Sequence, residues 1–487
     1  MSWVYEIDAA TPFEELEITG NICYLKREDL STVRSYKWRG AYTKLKGCLA
    51  KGDSGPFVAT SAGNHAQGVA LAAKKLHVQA TIFMPRTTPK LKQRAVSKFG
   101  GEFVRIELVG DNFDQASSAA LEYANENDCT IIRPFDDLEI IAGQSTVADE
   151  VVNQKPDLDY VFVPIGGGGL ASGVSYAMRQ LSPSTKVIGV EVFGQNSMQF
   201  SLERDTISRL DDVDIFCDGT AVIQPGELTY GICRDYLDEV ITVTNEKVCA
   251  AIQVLWEERR VITEPSGAIG FAGMLEFMKE RELDANSKCC AVISGANTDF
   301  LTLPLIVKKS QLAQPSRCYY RFEIDERTGS LIELLDLLFE NINIVDFQYG
   351  KVSDTTAFPV LGLEATPEQQ SLLLEKIRRS EIKAEDITSN QSTAYRVIPF
   401  RPDLTHDSEF YHVDFPDRPG ALRELMREIS SSTNICYFNF NDTGQIQGHA
   451  LIGFEFSSLN NKNRFAEIMA RLQFQFQVAE LGAFNRV

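Results

Sequence analysis

From the N-terminus to about residue 308, short β-branched runs alternate with Ala-rich amphipathic stretches. Phe57–Thr60 reads as a strand and Ala66–Leu76 as a helix; Ala80–Met84 and Leu91–Phe99 repeat the pair. Tyr160–Ile165, Leu170–Leu181 and Val187–Val192 continue the cycle, and Cys290–Ser294 is a late strand. Such alternation predicts an α/β unit with a mostly parallel sheet. Ligands of these sheets sit beyond the carboxyl ends of the strands. The loops after Thr60, Ile165 and Ile293 are therefore where chemistry is expected.

Charge and composition remove several function classes. With 48 Lys and Arg against 67 Asp and Glu, the net charge of −19 repels phosphate backbones and anionic lipid. Neither nucleic acid nor a membrane is an expected partner. No apolar run reaches the roughly 18 residues of a membrane span. The start, MSWVYEIDAATPFEELEITG, has neither a basic n-region nor an apolar h-region, so a cytoplasmic protein is expected. The ten cysteines are scattered without a C-x-x-C pair, which reads as reduced thiols. The five histidines lack metal-ligand spacing, so no metal is expected.

Four segments carry chemistry. In Ser35-Tyr36-Lys37-Trp38-Arg39-Gly40, a lysine stands between aromatics. A snorkelling surface residue fits that pattern. So does an amine that Tyr36 and Trp38 desolvate, leaving it neutral and able to form a Schiff base. Thr60-Ser61-Ala62-Gly63-Asn64-His65 lies between a strand and a helix, where small residues and N-terminal N–H groups suit a carboxylate and Asn64 can orient a ligand atom. His65 reads as a structural histidine at a helix start. Gly166-Gly167-Gly168-Gly169-Leu170 follows the strand YVFVPI and can cradle a phosphate. The same segment fits a dinucleotide pattern through Gly166, Gly168 and Ala171, with Glu191 placed 23 residues after Gly168 as a ribose acid. A nicotinamide dehydrogenase is thus a rival, although it leaves the Lys37 and Asn64 segments without a role. Finally, Ser294 of ISGAN ends a strand, where its hydroxyl could meet a neutral ring nitrogen or merely cap a turn.

Beyond the polar stretch KKSQLAQPSR the rhythm changes. Strand-like runs at Tyr319–Ile324, Asn343–Tyr349 and Ala357–Leu363 flank a helical Ser330–Leu338. Gly329 and Gly420 are 91 residues apart, as are Leu331 and Leu422, Ile344 and Ile435, and Phe347 and Phe438. A duplicated strand–turn–helix unit is expected, used for ligand binding or assembly. The domain expectation is residues 1–310 with a smaller subdomain at about 50–150, a linker at 311–316, and repeats at 317–398 and 399–487.

Taken together, SYKWRGAY, SAGNHAQG, VPIGGGGLASG and EPSGA…SGAN resemble the fold type II pyridoxal-phosphate enzymes. The double repeat is similar to the ACT-like regulatory domain of the threonine dehydratase family among them. The resemblance implies a tryptophan synthase β-like α/β catalytic domain followed by an α+β double ACT-like domain. It implies pyridoxal 5′-phosphate as cofactor, held covalently by Lys37, which also acts as base. Asn64 would bond the cofactor's ring oxygen. Gly166, Gly167, Gly168, Gly169 and Leu170 would hold its phosphate, and Ser294 would meet its pyridine nitrogen. Ser61, Ala62, Gly63 and His65 would line the substrate carboxylate, mainly through backbone donors. Gly219 and Glu264 match family segments near the site without a defined role.

The implied activity is dehydration of L-threonine to 2-oxobutanoate and ammonia, and of L-serine to pyruvate, at the first step of isoleucine synthesis. The implied assembly is a homo-oligomer, dimer or tetramer. Serine racemase and β-replacing synthases are alternatives within the fold; a non-catalytic amino-acid sensor is one outside it. Related racemases typically carry a serine at the position of Ala62, and here that second acid is missing. A branched-chain amino-acid effector, isoleucine or valine, is implied at the repeats, with Gly329, Phe347, Gly420 and Phe438 as its region. The usual Phe-x-Tyr-Arg strand motif is here Phe347-Gln348-Tyr349-Gly350 and Phe438-Asn439-Phe440-Asn441, so both arginines are absent.

Overall fold

The structure is a computed structural model. It describes residues 2–18, 20–284, 286–313, 317–338, 342–380, 382–388, 398–405, 407–416, 420–429, 433–441, 447–471 and 475–479. The chain divides into two compact units, Met1–Ser310 and Gln311–Val487.

The first unit opens with a hairpin, β1 (Phe13–Ile18) and β2 (Asn21–Arg27), followed by α1 (Lys37–Ala50). Next come β3 (Phe57–Thr60), α2 (Asn64–Leu76), β4 (Ala80–Met84), α3 (Lys90–Gly100), β5 (Val104–Leu108), α4 (Phe113–Glu126) and β6 (Thr130–Ile131). A long α5 (Leu138–Gln154) leads to β7 (Tyr160–Pro164), α6 (Gly169–Leu181), β8 (Lys186–Val192) and α7 (Ser197–Glu203). The unit closes with α8 (Glu227–Tyr236), β9 (Glu239–Val243), α9 (Asn245–Arg259), α10 (Pro265–Glu280), β10 (Cys289–Ile293) and α11 (Leu303–Leu312).

Two sheets result. A 6-stranded sheet runs β1-β2-β10-β7-β8-β9, and a 4-stranded sheet runs β5-β4-β3-β6. Only the β1–β2 pair is antiparallel. Parallel strands covered on both faces need continuous apolar runs. In Cys289–Ile293 every residue is accordingly buried. The expected strands and helices fall within a residue or two of those observed. The carboxyl ends of β3, β7 and β10 release the three loops singled out by sequence.

Small residues set how closely the helices approach. A Cβ at Gly68 of α2 would lie 2.9 Å from the Trp38 backbone nitrogen, and one at Gly143 of α5 would lie 2.5 Å from the Arg39 carbonyl. α1 is therefore clamped at backbone distance between α2 and α5. It is also fixed by a fully buried charge network that the sequence reading did not foresee. Arg39 donates to Glu28 of the segment after β2 and to both oxygens of Glu150 on α5, at 2.6–2.9 Å. Lys26 adds a 2.6 Å bond to Glu150. Burying so many charges is tolerated only because each is paired.

The polar stretch after residue 308 does not end the helix, because α11 continues through Leu312 with Ile306 and Ser310 buried. Of the expected linker, residues 314–316 lie outside the described residues.

The second unit repeats itself. β11 (Arg317–Asp325), α12 (Ser330–Leu338), β12 (Asn343–Gly350), β13 (Thr356–Ala357), β14 (Val360–Glu364), α13 (Pro367–Arg379) and β15 (Lys383–Asp386) form the first half. The second half is β16 (Ser408–Pro416), α14 (Ala421–Ile429), β17 (Asn434–Asn441), β18 (Gln447–Glu455), α15 (Leu459–Arg471) and β19 (Gln475–Val478). The strand order β11-β14-β12 of one half meets β17-β18-β16 of the other, and β12 pairs antiparallel with β17 at the seam. The strand expected over Ala357–Leu363 is split in two. Pro359 has no N–H to give the ladder, and its carbonyl accepts from Phe322 at 2.8 Å.

Candidate active site

Lys37 is the first residue of α1. Its Nζ donates to the Pro134 carbonyl at 3.0 Å and lies 5.3 Å from the centre of the Tyr36 ring. Enclosure by protein lowers its ammonium to about 8, against a smaller opposing pull from the charge of Glu264. Tyr36 thus faces the amine as expected. Trp38 does not, being buried with Val4, Val33 and Leu71 on the other side. Tyr36 N donates to the Ser294 carbonyl, and Ser35 bridges Gly295, so the start of α1 is stitched to the end of β10.

The tetraglycine lies where β7 ends and α6 begins. Gly168 is the N-cap of α6 with φ +89°, a conformation that side chains resist. A Cβ at Gly167 would fall 2.4 Å from the Phe135 ring, and one at Gly166 would fall 2.9 Å from Thr220 Cα. The first-turn N–H groups of a helix have no i−4 carbonyl, so those of Gly169 and Leu170 are available to an anion. This is a cradle in which only glycine fits.

The segment 133–137, Arg-Pro-Phe-Asp-Asp, closes over that cradle. Pro134 meets Lys37, Phe135 lies on Gly167 and Gly169, and Asp136 accepts from the N–H groups of Glu227, Leu228 and Thr229 at the start of α8. Sequence reasoning missed this segment, since it holds no glycine pattern and no periodicity. Its one signal is the pair of acids after proline and phenylalanine, a turn composition.

Asn64 begins α2. Its Nδ2 donates to Glu264 Oε1 at 2.6 Å, and its Oδ1 accepts from Asn297 Nδ2 at 2.6 Å. Burial, helped by Asp218, raises the Glu264 carboxyl to about 7. Ser294 is buried and donates to the Ser266 carbonyl at 3.3 Å, a long bond. Ser61 Oγ accepts from Gly63 N at 3.1 Å. A Cβ at Gly63 would meet nothing within 4 Å, which leaves space over the Ser61–Gly63 turn. His65 is turned away from that space; its buried ring bonds the Ile132 carbonyl at 2.9 Å, and burial lowers it to about 4. Its side chain therefore stays neutral and structural, and only its backbone can face a ligand. Gly219 lies close by, its would-be Cβ 3.8 Å from Glu264 Oε1.

Glu191 is not free to meet a ribose. It is fully buried, accepts from Met198 N at 2.9 Å and Gln199 N at 2.7 Å, and caps α7.

In the second unit, Gly329 and Gly420 take φ +95° and +86° directly before α12 and α14. Phe347 and Phe438 pack as a tilted pair with ring centres 4.3 Å apart, both fully buried at the seam. Of these four positions, Gly329 lines a cavity of about 40 Å³ between the halves, with Glu326, Ser330, Tyr349, Met426 and Asn434. Tyr349 and Asn434 both bond Glu326, the latter at 2.9 Å. At Gly350, where the motif would place arginine, a Cβ would fall 2.0 Å from the Pro399 carbonyl.

The first-unit residues suit a phosphorylated pyridine aldehyde: an amine of lowered basicity at the start of α1, a glycine-only anion cradle after β7 and a serine hydroxyl after β10. Residues 6–295 match the family described as pyridoxal-phosphate dependent enzyme, and residues 404–482 match the C-terminal regulatory domain of threonine dehydratase. The biosynthetic L-threonine dehydratase of Haemophilus influenzae is 34% identical over 98% of this chain and 93% of its own. Among solved structures, processed threonine deaminase isoform 2 from Solanum lycopersicum is 39% identical with a TM-score of 0.61, covering 63% of this chain and 90% of that one. Maize serine racemase is 30% identical with a TM-score of 0.57, covering 63% and 94%.

Proposed function

The chain belongs to the pyridoxal-phosphate dependent enzymes, and among them to the threonine dehydratases; from that membership we propose that it dehydrates and deaminates L-threonine to 2-oxobutanoate and ammonia, with Lys37 as the base. L-Serine gives pyruvate by the same steps, and the product of the threonine reaction feeds isoleucine synthesis.

The observation that carries this reading is Lys37, an amine lowered to about 8 beside a cradle that only glycine can form. The cofactor, when bound, supplies the electron sink that stabilises the charge left at Cα. Lys37 Nζ in its neutral form takes the Cα proton, and its depressed basicity keeps that form populated near neutrality. N–H groups of Gly166, Gly167, Gly168, Gly169 and Leu170 would hold the phosphate. Asn64 keeps one Nδ2 hydrogen that would meet the ring oxygen after bonding Glu264, and Ser294 would meet the ring nitrogen without imposing a charge there. The turn at Ser61, Ala62 and Gly63, with the His65 backbone, receives the substrate carboxylate. Ala62 offers no hydroxyl to reprotonate the opposite face of Cα, which supports elimination over racemisation.

The regulatory unit takes an amino-acid effector. Its finer identity, isoleucine or valine, is supported by the cavity at Gly329, where Glu326 and Asn434 can meet an ammonium and Met426 an aliphatic side chain. Phe347, Gly420 and Phe438 complete the proposed effector region without lining that cavity. We further assign the enzyme to the cytoplasm as a homo-oligomer; among the described residues no helix is long and apolar enough to cross a membrane.

The test is 2-oxobutanoate release from L-threonine by purified protein, with and without isoleucine, while recording visible absorption. Turnover with a cofactor band that Lys37→Ala alters is expected. A colourless protein that stays inactive after added pyridoxal phosphate overturns the reading.

A further inference from the structure

Asparagine is ambident: either its C=O or its NH₂ can face a ligand, and the two ends are nearly the same size. Only partners of fixed polarity decide which. Around Asn64 there are two such chains. Glu264, an acceptor when ionised, takes one hydrogen of Asn64 Nδ2 at 2.6 Å. Asn297 Nδ2 donates to the Val33 carbonyl at 3.0 Å and to Asn64 Oδ1 at 2.6 Å. A backbone carbonyl can only accept, so Val33 fixes the Asn297 amide, and Asn297 fixes that of Asn64. Glu264 Oε2 closes the circuit by accepting from Asn297 N at 3.2 Å. The remaining donor is one N–H of Asn64.

Resting on the cofactor assignment above, we infer that Glu264 is a positioning residue: through Asn64 it forces an N–H rather than a C=O toward the cofactor's ring oxygen. The surroundings are built to keep its carboxylate there. A Cβ at Gly295 would lie 2.3 Å from Glu264 Oε1, so the strand end must be glycine for the carboxylate to fit. Glu264 N is itself held by the Gly295 carbonyl at 3.2 Å. The charged groups acting on Glu264 are Asp218 and Lys92, which pair with each other at 2.6 Å, and Glu264 in turn acts on Lys37. None of them bonds Asn64, so the polarity of the amide depends on Glu264 and Asn297.

The experiment is a double-mutant cycle read by cofactor binding. Wild type, Glu264→Gln, Asn64→Ala and the double variant are stripped of cofactor and titrated with pyridoxal phosphate, following visible absorption. A glutamine can turn its own NH₂ toward Asn64 Nδ2, which opposes the orientation that Asn297 imposes and weakens the hold on the free N–H. Glu264→Gln is expected to weaken binding about tenfold, the worth of one hydrogen bond, and to move the absorption maximum as Asn64→Ala does. In the Asn64→Ala background the same change is expected to add nothing. Multiplying effects, or an unchanged affinity and spectrum in Glu264→Gln, overturn the inference. If Glu264→Gln does not fold, Asn297→Asp replaces the donor to Asn64 Oδ1 by an acceptor and carries the same expectation. Failure of the wild type to bind pyridoxal phosphate would instead remove the cofactor assignment on which the inference rests.

Discussion

Lys37 and Glu191 show how burial alone redirects a titratable group. On the role proposed for Lys37, its amine must be neutral to attack the cofactor's aldehyde, and desolvation brings its pKa to about 8. Capture of pyridoxal phosphate by the stripped protein should therefore level off above about pH 8 and slow about tenfold per unit below it, as rapid-mixing absorbance would measure. Glu191 is pushed from 4.5 to about 8, again by burial, against two N–H groups that favour its anion. A carboxyl that binds its proton more tightly when folded gives full stability below its unfolded pKa. That stability is lost as pH rises from about 4.5 toward 8. Glu191→Gln should flatten this slope in denaturant titrations run across the same range. A slope equal to the wild type's would show that Glu191 does not titrate there. Glu191 is also a warning about spacing: its distance from the glycines suits a ribose acid, and only its closure onto Met198 and Gln199 reveals a helix cap.

At the scale of elements, the loops that leave the ends of β3, β7 and β10 were legible. β-branched runs marked β3, β7 and β10, and small residues after them marked loops that let backbone approach a ligand. What could not be read was closure between distant segments. Glu264 lies 200 residues from Asn64, and Pro134 lies 97 from Lys37; local pattern carries no trace of either bond. Arg39 was visible within its motif, but its partners Glu28 and Glu150 come from two other elements. Trp38 was misplaced for a related reason: neighbours along a helix point in different directions, so only one aromatic can face the lysine. The 133–137 segment gives the sharpest element-scale expectation. Gly167→Ala should drive Phe135 off the cradle and raise the dissociation constant for pyridoxal phosphate at least about tenfold. Adding Phe135→Ala should recover part of the loss, and no recovery would place the damage in the loop backbone itself.

For the whole molecule, the division at residues 310 and 311 separates chemistry from regulation. The solved threonine deaminase and serine racemase structures match at 90% and 94% of their own chains while covering 63% of this one, about the span of the first unit. A chain ending at Ala313, after α11, should keep threonine turnover within a fewfold of the full protein and lose any response to isoleucine. Ammonia release with and without the effector would check both halves of that statement. The duplication was legible because Gly329, Leu331, Ile344 and Phe347 each recur 91 residues later; the outcome of the missing arginines was not. Gly350 meets the Pro399 carbonyl so closely that the backbone there excludes any side chain, and the space where arginine would stand is taken by the chain's own return.

The pairing of β12 with β17 has a consequence for dilution. Two halves on one polypeptide meet at an effective concentration set by their tether, not by how much protein is present. A regulator assembled from separate copies loosens as it is diluted, whereas this seam, with Phe347 against Phe438, is formed before any second molecule arrives. An amino acid bound beside Gly329, where we propose the effector sits, would find both walls of the cavity already in one molecule, so its affinity should be the same in a scarce protein as in an abundant one.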